Sequence, residues 1–205
     1  MKTDLLPAER PEALNRALSV LQSGGLVVFP TDTVYGVGAL ACDAIAIEGI
    51  YAAKDRPVEK AIPILIGGPE DLDKVTATLP PLAGKLAARF WPGPLTLVVP
   101  KSPGLPDIVS AAPTVGVRIP DHPVARALLR AAGPMAVTSA NLSGQPSPRS
   151  AGDVMRQLNG RIPLVLDGGE TPGGLSSTVV DCLGAEPVIL REGPISLEEI
   201  KFVLA

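Results

Sequence analysis

Short apolar runs, broken by Pro- and Gly-rich turns, alternate along this chain with stretches whose apolar residues recur at helical spacing. Leu14, Leu18 and Leu21 share a face of a helix predicted across 11–23, and Gly24-Gly25 ends it. Residues 26–29, Leu-Val-Val-Phe, predict a buried strand that stops at Pro30. Asp43 is the expected N-cap of a helix across 44–54 that carries Ile47, Ile50 and Tyr51. Residues 62–66 form the next strand, and Pro63 implies an edge position or the strand's first residue. Two helices follow, near 70–77 and across 81–91, the second with Leu82, Leu86 and Phe90 on one face. Trp91-Pro92-Gly93-Pro94 is a turn, 95–99 a strand, and 101–113 a surface loop rich in Pro, Ser and Gly. On the strand at 114–120, Thr114 and Arg118 fall on the same face. A helix at 123–132, a strand at 135–138 and a helix near 150–158 come next. Strands at 163–166, 179–182 and 188–193 follow, and Ser196 with Glu199 caps the last helix.

That makes about seven strands and six or seven helices, and strict strand–helix alternation fails near 95–118 and 163–191. The predicted class is therefore α/β: a twisted mixed sheet, parallel and antiparallel, with helices on its faces. No internal repeat or charged tail breaks the chain, and 205 residues suit one domain spanning 1–205.

Composition narrows the function. Aromatic residues make up only 3% of the chain, which argues against a platform for stacking bases. A net charge of −3 gives no general attraction to polyanions, so any anion site must be local. Cys42 and Cys182 lie far apart with no CxxC, which favours a reduced, cytoplasmic setting over a secreted one. No signal pattern and no membrane-spanning run is evident, so a soluble protein without a membrane partner is expected.

Several familiar sites are excluded. No Walker-type glycine loop is present. Gly36-Val37-Gly38-Ala39-Leu40-Ala41 begins too far beyond its strand for a dinucleotide turn. His122, the sole histidine, sits in Pro-Asp-His-Pro and reads as the start of a helix, and no cluster suits zinc. What remains is hydroxyls and cations at strand ends. Thr31, Asp32 and Thr33 follow the strand at 26–29, and a helix across 44–54 would bring Lys54 and Arg56 back toward them. Lys60, Arg118 and Arg191 also lie in polar loops or on strand faces, a pattern suited to a phosphorylated ligand. Each cation taken singly also fits a solvated surface charge.

Taken in order, Phe29-Pro30-Thr31-Asp32-Thr33-Val34-Tyr35-Gly36, Lys54-Asp55-Arg56-Pro57, Trp91-Pro92-Gly93-Pro94-Leu95-Thr96, Val117-Arg118-Ile119-Pro120, Ser139-Ala140-Asn141 and Ser177-Thr178-Val179-Val180-Asp181 resemble the YrdC-like family of threonylcarbamoyl-adenylate synthases. The resemblance covers nearly the whole chain. It implies a large concave basic cavity in the sheet and a reaction of L-threonine, bicarbonate and ATP, with Mg2+ carried by ATP. It further implies that the product reaches tRNA only through a separate threonylcarbamoyl-transferase complex. By the same resemblance Thr31, Thr33, Arg118, Ser177 and Thr178 form the threonine side of the site. Arg56, Lys60, Thr114, Ser139, Ser147 and Arg191 surround ATP, with Lys54 and Asn141 completing the phosphate site; Lys54, Arg56, Ser139 and Asn141 are the catalytic set. Relatives commonly carry Asn where Lys60 stands and His where Leu65 stands. Longer relatives also have a C-terminal domain, which is expected to be absent here. An RNA-binding module, and a paralogous enzyme acting on another carbamoyl substrate, stay open as alternatives.

Overall fold

Adjacent residues of the strand 27–29 feed two different apolar layers. Val27 and Phe29 pack on one side of the sheet and Val28 on the other, and Leu164, Val165 and Leu166 split the same way. That period of two is the geometry of a pleated strand buried on both faces. The computed structural model describes residues 2–204. Its strands are β1 (Asp4–Pro7), β2 (Val27–Phe29), β3 (Gly36–Leu40), β4 (Ile64–Leu65), β5 (Leu95–Pro100), β6 (Thr114–Arg118), β7 (Met135–Ser139), β8 (Leu164–Asp167), β9 (Thr178–Asp181) and β10 (Val188–Arg191). Among the described residues they form one ten-stranded sheet in the order β1-β8-β2-β3-β7-β4-β6-β5-β9-β10. Pairings β1–β8, β2–β8, β4–β6 and β5–β9 are parallel and the others antiparallel, which is the mixed sheet expected.

Helices α1 (Ala13–Gln22) and α5 (Pro123–Ala132) cover one face, packing on Val27, Phe29, Met135, Val137, Leu164 and Leu166. Helices α2 (Ala44–Lys54), α4 (Pro81–Phe90), α6 (Ala151–Leu158) and α7 (Leu197–Leu204) contribute to the larger core on the other face, and α3 (Leu72–Val75) adds Val75. The caps are those the residues dictate. Asp43 accepts from Ala46 N at 3.0 Å, and α2 ends at Asp55 in the left-handed region. Gly24 closes α1 at φ 76°, where a side chain would be strained. Ser196 and Glu199 cap α7 reciprocally.

The sheet departs from the sequence reading in several places. Strands β1 and β3 were not expected. Gly36-Val37-Gly38 looks like loop, yet the two glycines are there because β7 lies close: a Cβ would come 2.7 Å from Val137 Cγ1 at Gly36 and 2.9 Å from Val137 Cγ2 at Gly38. Strand β4 is not an edge; it lies between β7 and β6. Pro63 immediately precedes it, where its missing N–H breaks no ladder bond and its carbonyl still accepts from Val137 N at 3.0 Å. The 101–113 segment is not purely a surface loop. It buries Leu105 and Val109, and the Val109 carbonyl accepts from Ile62 N at 2.9 Å. Helix α6 carries a capping box, Ser150 with Asp153, that the sequence reading did not identify.

Candidate functional site

Helices α1 and α5 pack on β2, β8 and β7. Toward β6 and β5 the corresponding face carries Gly116, Arg118 and Thr96 in place of large apolar residues. A half-open cavity of about 180 Å³ results. Its walls are the turn after β2 (Thr31, Thr33, Val34), Arg56 beyond α2, Leu65 on β4, Thr96 on β5, Arg118 on β6, Val137 to Ser139 on β7, and Ser176, Ser177 and Arg191 from the β9–β10 side.

The turn is built by Thr31. Its Oγ1 accepts from Thr33 N at 3.2 Å and Val34 N at 3.3 Å and donates to the Val34 carbonyl at 2.6 Å. A hydroxyl has one proton to give, so in the 3.0 Å contact between the two threonine hydroxyls Thr33 is the donor. Thr33 Oγ1 in turn accepts from Arg118 Nη1 at 3.2 Å. Tyr35, fully buried, fastens the same turn to the loop after β8: its hydroxyl donates to the Gly169 carbonyl at 2.6 Å and accepts from Gly168 N at 3.2 Å. Burial pushes that phenol up to about 12.

Arg118 is 5% exposed. Its Nε donates to the Gly93 carbonyl at 2.9 Å, Nη1 to Thr33, and Nη2 to Asp32 Oδ1. These contacts fix the guanidinium plane and use one N–H on each Nη, leaving a second on each. Burial lowers the Arg118 guanidinium while Asp32 opposes that shift, and Arg191 adds to the lowering. Ser177 Oγ lies 2.8 Å from Thr96 Oγ1 and accepts from Arg191 Nη2 at 3.0 Å. Arg191 belongs to the exposed edge strand, yet its guanidinium folds inward onto the Ser177 carbonyl and is lowered by desolvation and by Arg56. Arg56 Nη2 donates to the Ala61 carbonyl at 2.9 Å, and desolvation lowers that group as well. Three guanidiniums thus meet in one cavity, and among the described residues no carboxylate lines it. Such a site favours an anion with several charges.

The cavity brings together Thr31, Thr33, Arg56, Arg118, Ser139, Ser177 and Arg191. The remaining sequence candidates lie elsewhere. Lys54 is 1% exposed, and its ammonium donates to the carbonyls of Ser139 and Asn141. Desolvation, with a smaller push from Arg56, lowers it to about 7. Asn141 is buried beside it and donates through Nδ2 to the carbonyls of Leu142 and Gln145 at 2.8 and 2.7 Å. Lys60 is exposed, and its carbonyl accepts from Arg56 Nε and the Tyr51 hydroxyl. Thr114 shares a strand face with Arg118 but sits at the far end of β6, and Ser147 is half-buried in the loop after β7. Thr178 is fully buried, exchanging hydrogen bonds with Ile195 N and O at 2.9 Å. Thr96, Ser176 and the apolar wall of Leu65 and Val137 were not among the candidates. Thr96 carried a signal, a threonine between Leu95 and Leu97 on a buried strand, and so did Leu65, the position at which relatives carry His.

Comparison with known proteins gives concordant results. The Sua5/YciO/YrdC family model, described as "Telomere recombination", matches residues 19–193. A Bacillus subtilis protein named threonylcarbamoyl-AMP synthase is 43% identical over 98% of this chain and 59% of its own length. The crystal structure of Pyrococcus abyssi Sua5 complexed with L-threonine superposes with a TM-score of 0.94 at 43% identity, covering 98% of this chain and 61% of that one. Escherichia coli YciO superposes at 0.86 with 26% identity, covering 97% and 99%. This chain therefore spans only about three-fifths of the first two relatives. By residues matched, identity and superposition, the chain belongs to the Sua5/YciO/YrdC family.

Proposed function

We propose that this chain is an L-threonylcarbamoyladenylate synthase, a nucleotidyltransferase that converts L-threonine, bicarbonate and ATP to L-threonylcarbamoyl-AMP and pyrophosphate. The observation that carries the reading is the meeting of Arg56, Arg118 and Arg191 around hydroxyls, with no carboxylate in the lining. The synthase name of the Bacillus relative and the threonine bound to the Pyrococcus protein agree with it.

The remaining N–H groups of the Arg118 fork suit the threonine carboxylate, one oxygen to each Nη. Thr33 has given its proton to Thr31, so it can only accept, which suits the substrate's amine or hydroxyl. Ser177, held between Thr96 and Arg191, stands at the same wall. Arg56 and Arg191 then face the phosphates, beside Ser139. A volume of about 180 Å³ falls below the ~300 Å³ at which pockets begin to hold drug-sized ligands, so the enclosed space takes threonine and the reacting phosphates while the nucleoside lies at the mouth.

Two bonds must form. The threonine amine attacks the bicarbonate carbon, an amine proton leaving with the bicarbonate hydroxyl as water. The resulting carbamate oxygen attacks the α-phosphorus, breaking its bond to the bridging oxygen that departs with pyrophosphate. Neither step needs a protein nucleophile. The chain's contribution is to hold two anions against a polyphosphate and to stabilise charge developing on its oxygens. Magnesium is taken to arrive on the ATP phosphates, whose oxygens would be its chief ligands. Transfer to tRNA falls to a separate complex. No described helix is long and apolar enough to cross a membrane.

The test is pyrophosphate release from ATP, with threonine and bicarbonate omitted in turn. Release that needs both, with an AMP-linked product, is expected; ADP and phosphate as the main products would overturn the mechanism. Salt-sensitive tRNA binding without any pyrophosphate would favour an RNA-binding module instead.

A further inference from the structure

We propose that Lys54 is a positioning residue that clamps two walls of the cavity together through backbone carbonyls and does not touch the phosphates. The inference rests on the synthase reading for its kinetic part only.

Lys54 is the last residue of α2, almost fully buried, and makes no ion pair among the described residues. Its Nζ lies on the carbonyls of Ser139 and Asn141. Its own carbonyl accepts from Ser143 N at 2.8 Å, so the helix end and the turn after β7 grip each other in both directions. The turn is closed further by the Asn141 side chain on Leu142 and Gln145, and by Ala140 N on the Tyr35 carbonyl at 2.8 Å. Ser139, at one end of this clamp, lines the cavity, whereas Lys54 and Asn141 do not. At the other end, Asp55 turns the chain through the left-handed region and Arg56 enters the cavity.

One buried ammonium therefore fixes Arg56, which leaves α2, relative to Ser139, which ends β7. A phosphate could draw Lys54 away only by breaking both bonds and stranding the buried Asn141 carbonyl without its donor. The ammonium is held chiefly by neutral dipoles, consistent with the lowering that burial imposes on it.

Lys54→Met keeps the unbranched stem of the side chain and removes the amine with its donors. Backbone amide exchange of residues 139–145 would be measured in the ligand-free variant, alongside pyrophosphate release. We expect exchange there to accelerate about 10-fold or more, matching the loss of the two hydrogen bonds that Nζ donates. Turnover should fall by about as much, with the KM for ATP within about 3-fold of the parent. Unchanged exchange overturns the clamp whatever the kinetics, and an ATP KM raised by about 10-fold or more overturns it in favour of direct phosphate contact. Lys54→Gln, which retains an N–H donor, should restore part of the protection; no restoration counts against the clamp. Should Lys54→Met not fold, the nitrogen-15 resonance of Lys54 Nζ in the unmodified protein decides. A signal unmoved by a non-hydrolysable ATP analogue supports the clamp, and a shift with loss of its couplings to the carbonyls refutes it. A parent protein that releases no pyrophosphate would sink the synthase reading, while the exchange data would still judge the clamp.

Discussion

Replacing Arg118 by lysine separates the charge of that side chain from its shape. The guanidinium makes three fixed contacts at once, to Gly93, Thr33 and Asp32, and holds an outward N–H on each Nη. An ammonium can keep the partnership with Asp32 but cannot reach all three partners and offer a planar fork as well. Losing one charge-assisted bond to the substrate costs about 1.5–3 kcal/mol, so threonine should bind roughly 10- to 100-fold more weakly. Losing the bonds to Gly93 and Thr33 should cost the fold about 2–4 kcal/mol, a fall in Tm of about 5–15 °C for a chain of this length. Arg118→Ala is the harsher variant. It leaves the largely buried Asp32 carboxylate, whose Oδ2 already has no partner, facing no cation at a cost of about 3–5 kcal/mol. Calorimetric titration with threonine, beside thermal melts, measures both effects. An Arg118→Lys protein that melts lower yet binds threonine as before would show that this arginine serves the fold alone. One unchanged in both would refute the hydrogen-bond network itself.

Arg56→Ala should reduce turnover at least 10-fold while leaving threonine affinity within about 3-fold, because the proposed role sets its charge against the phosphates; comparable losses in both would contradict that role. Thr178→Val should lower stability by about 1–3 kcal/mol by stripping Ile195 N and O of their shared partner, without altering the KM for threonine or ATP; a KM change would place Thr178 in the site after all. Burial pushes the Cys182 thiol up to about 12 from 9.0, so the unfolded chain loses that proton first as pH rises. Its contribution to stability is complete below pH 9 and is lost toward pH 12. Between pH 8 and 10 the loss is about 1.4 kcal/mol, and Cys182→Val should remove that component from urea titrations at the two pH values; an unchanged pH slope would show the thiol is not sealed.

Legibility in the sequence followed the physics of each element. Helices α1, α2, α5 and α7 announce themselves because their caps and apolar stripes are local features: Asp43 and Ser196 need only their own helices to work. Strand β3 could not be read, since the reason for Gly36 and Gly38 is a valine about a hundred residues further along the chain, and nothing local distinguishes that need from a turn. Pro63 illustrates the same blindness, because whether a strand is central depends on partners that the run itself does not name. Within the cavity, residues at strand ends or with long side chains were legible: Thr33, Arg118, Ser139 and Ser177. Lys54 was read as a phosphate contact, because a lysine at a helix C-terminus usually reaches outward and only the fold shows this one held on two carbonyls. Thr178 was misleading in a different way. It directly follows Ser177, and adjacent residues of an extended segment point to opposite sides, so one hydroxyl serves the cavity and its neighbour the core.

The pairing of β1 and β2 with β8 has a consequence during synthesis. Asp4 aligns with Leu164 and Val27 also aligns with Leu164, so β1 has no partner among the described strands, and β2 only β3, until residues 164–167 have been made. Strand β9 then completes the β5 side of the cavity, later still. A nascent chain stalled on the ribosome before residue 164 emerges would show both edges of the future β8 slot open, an apolar strand among them, and would depend on shielding from other molecules. Emergence of β8, β9 and β10 would then close the sheet and the cavity, so ligand binding should appear in translation only after the β9–β10 hairpin is out.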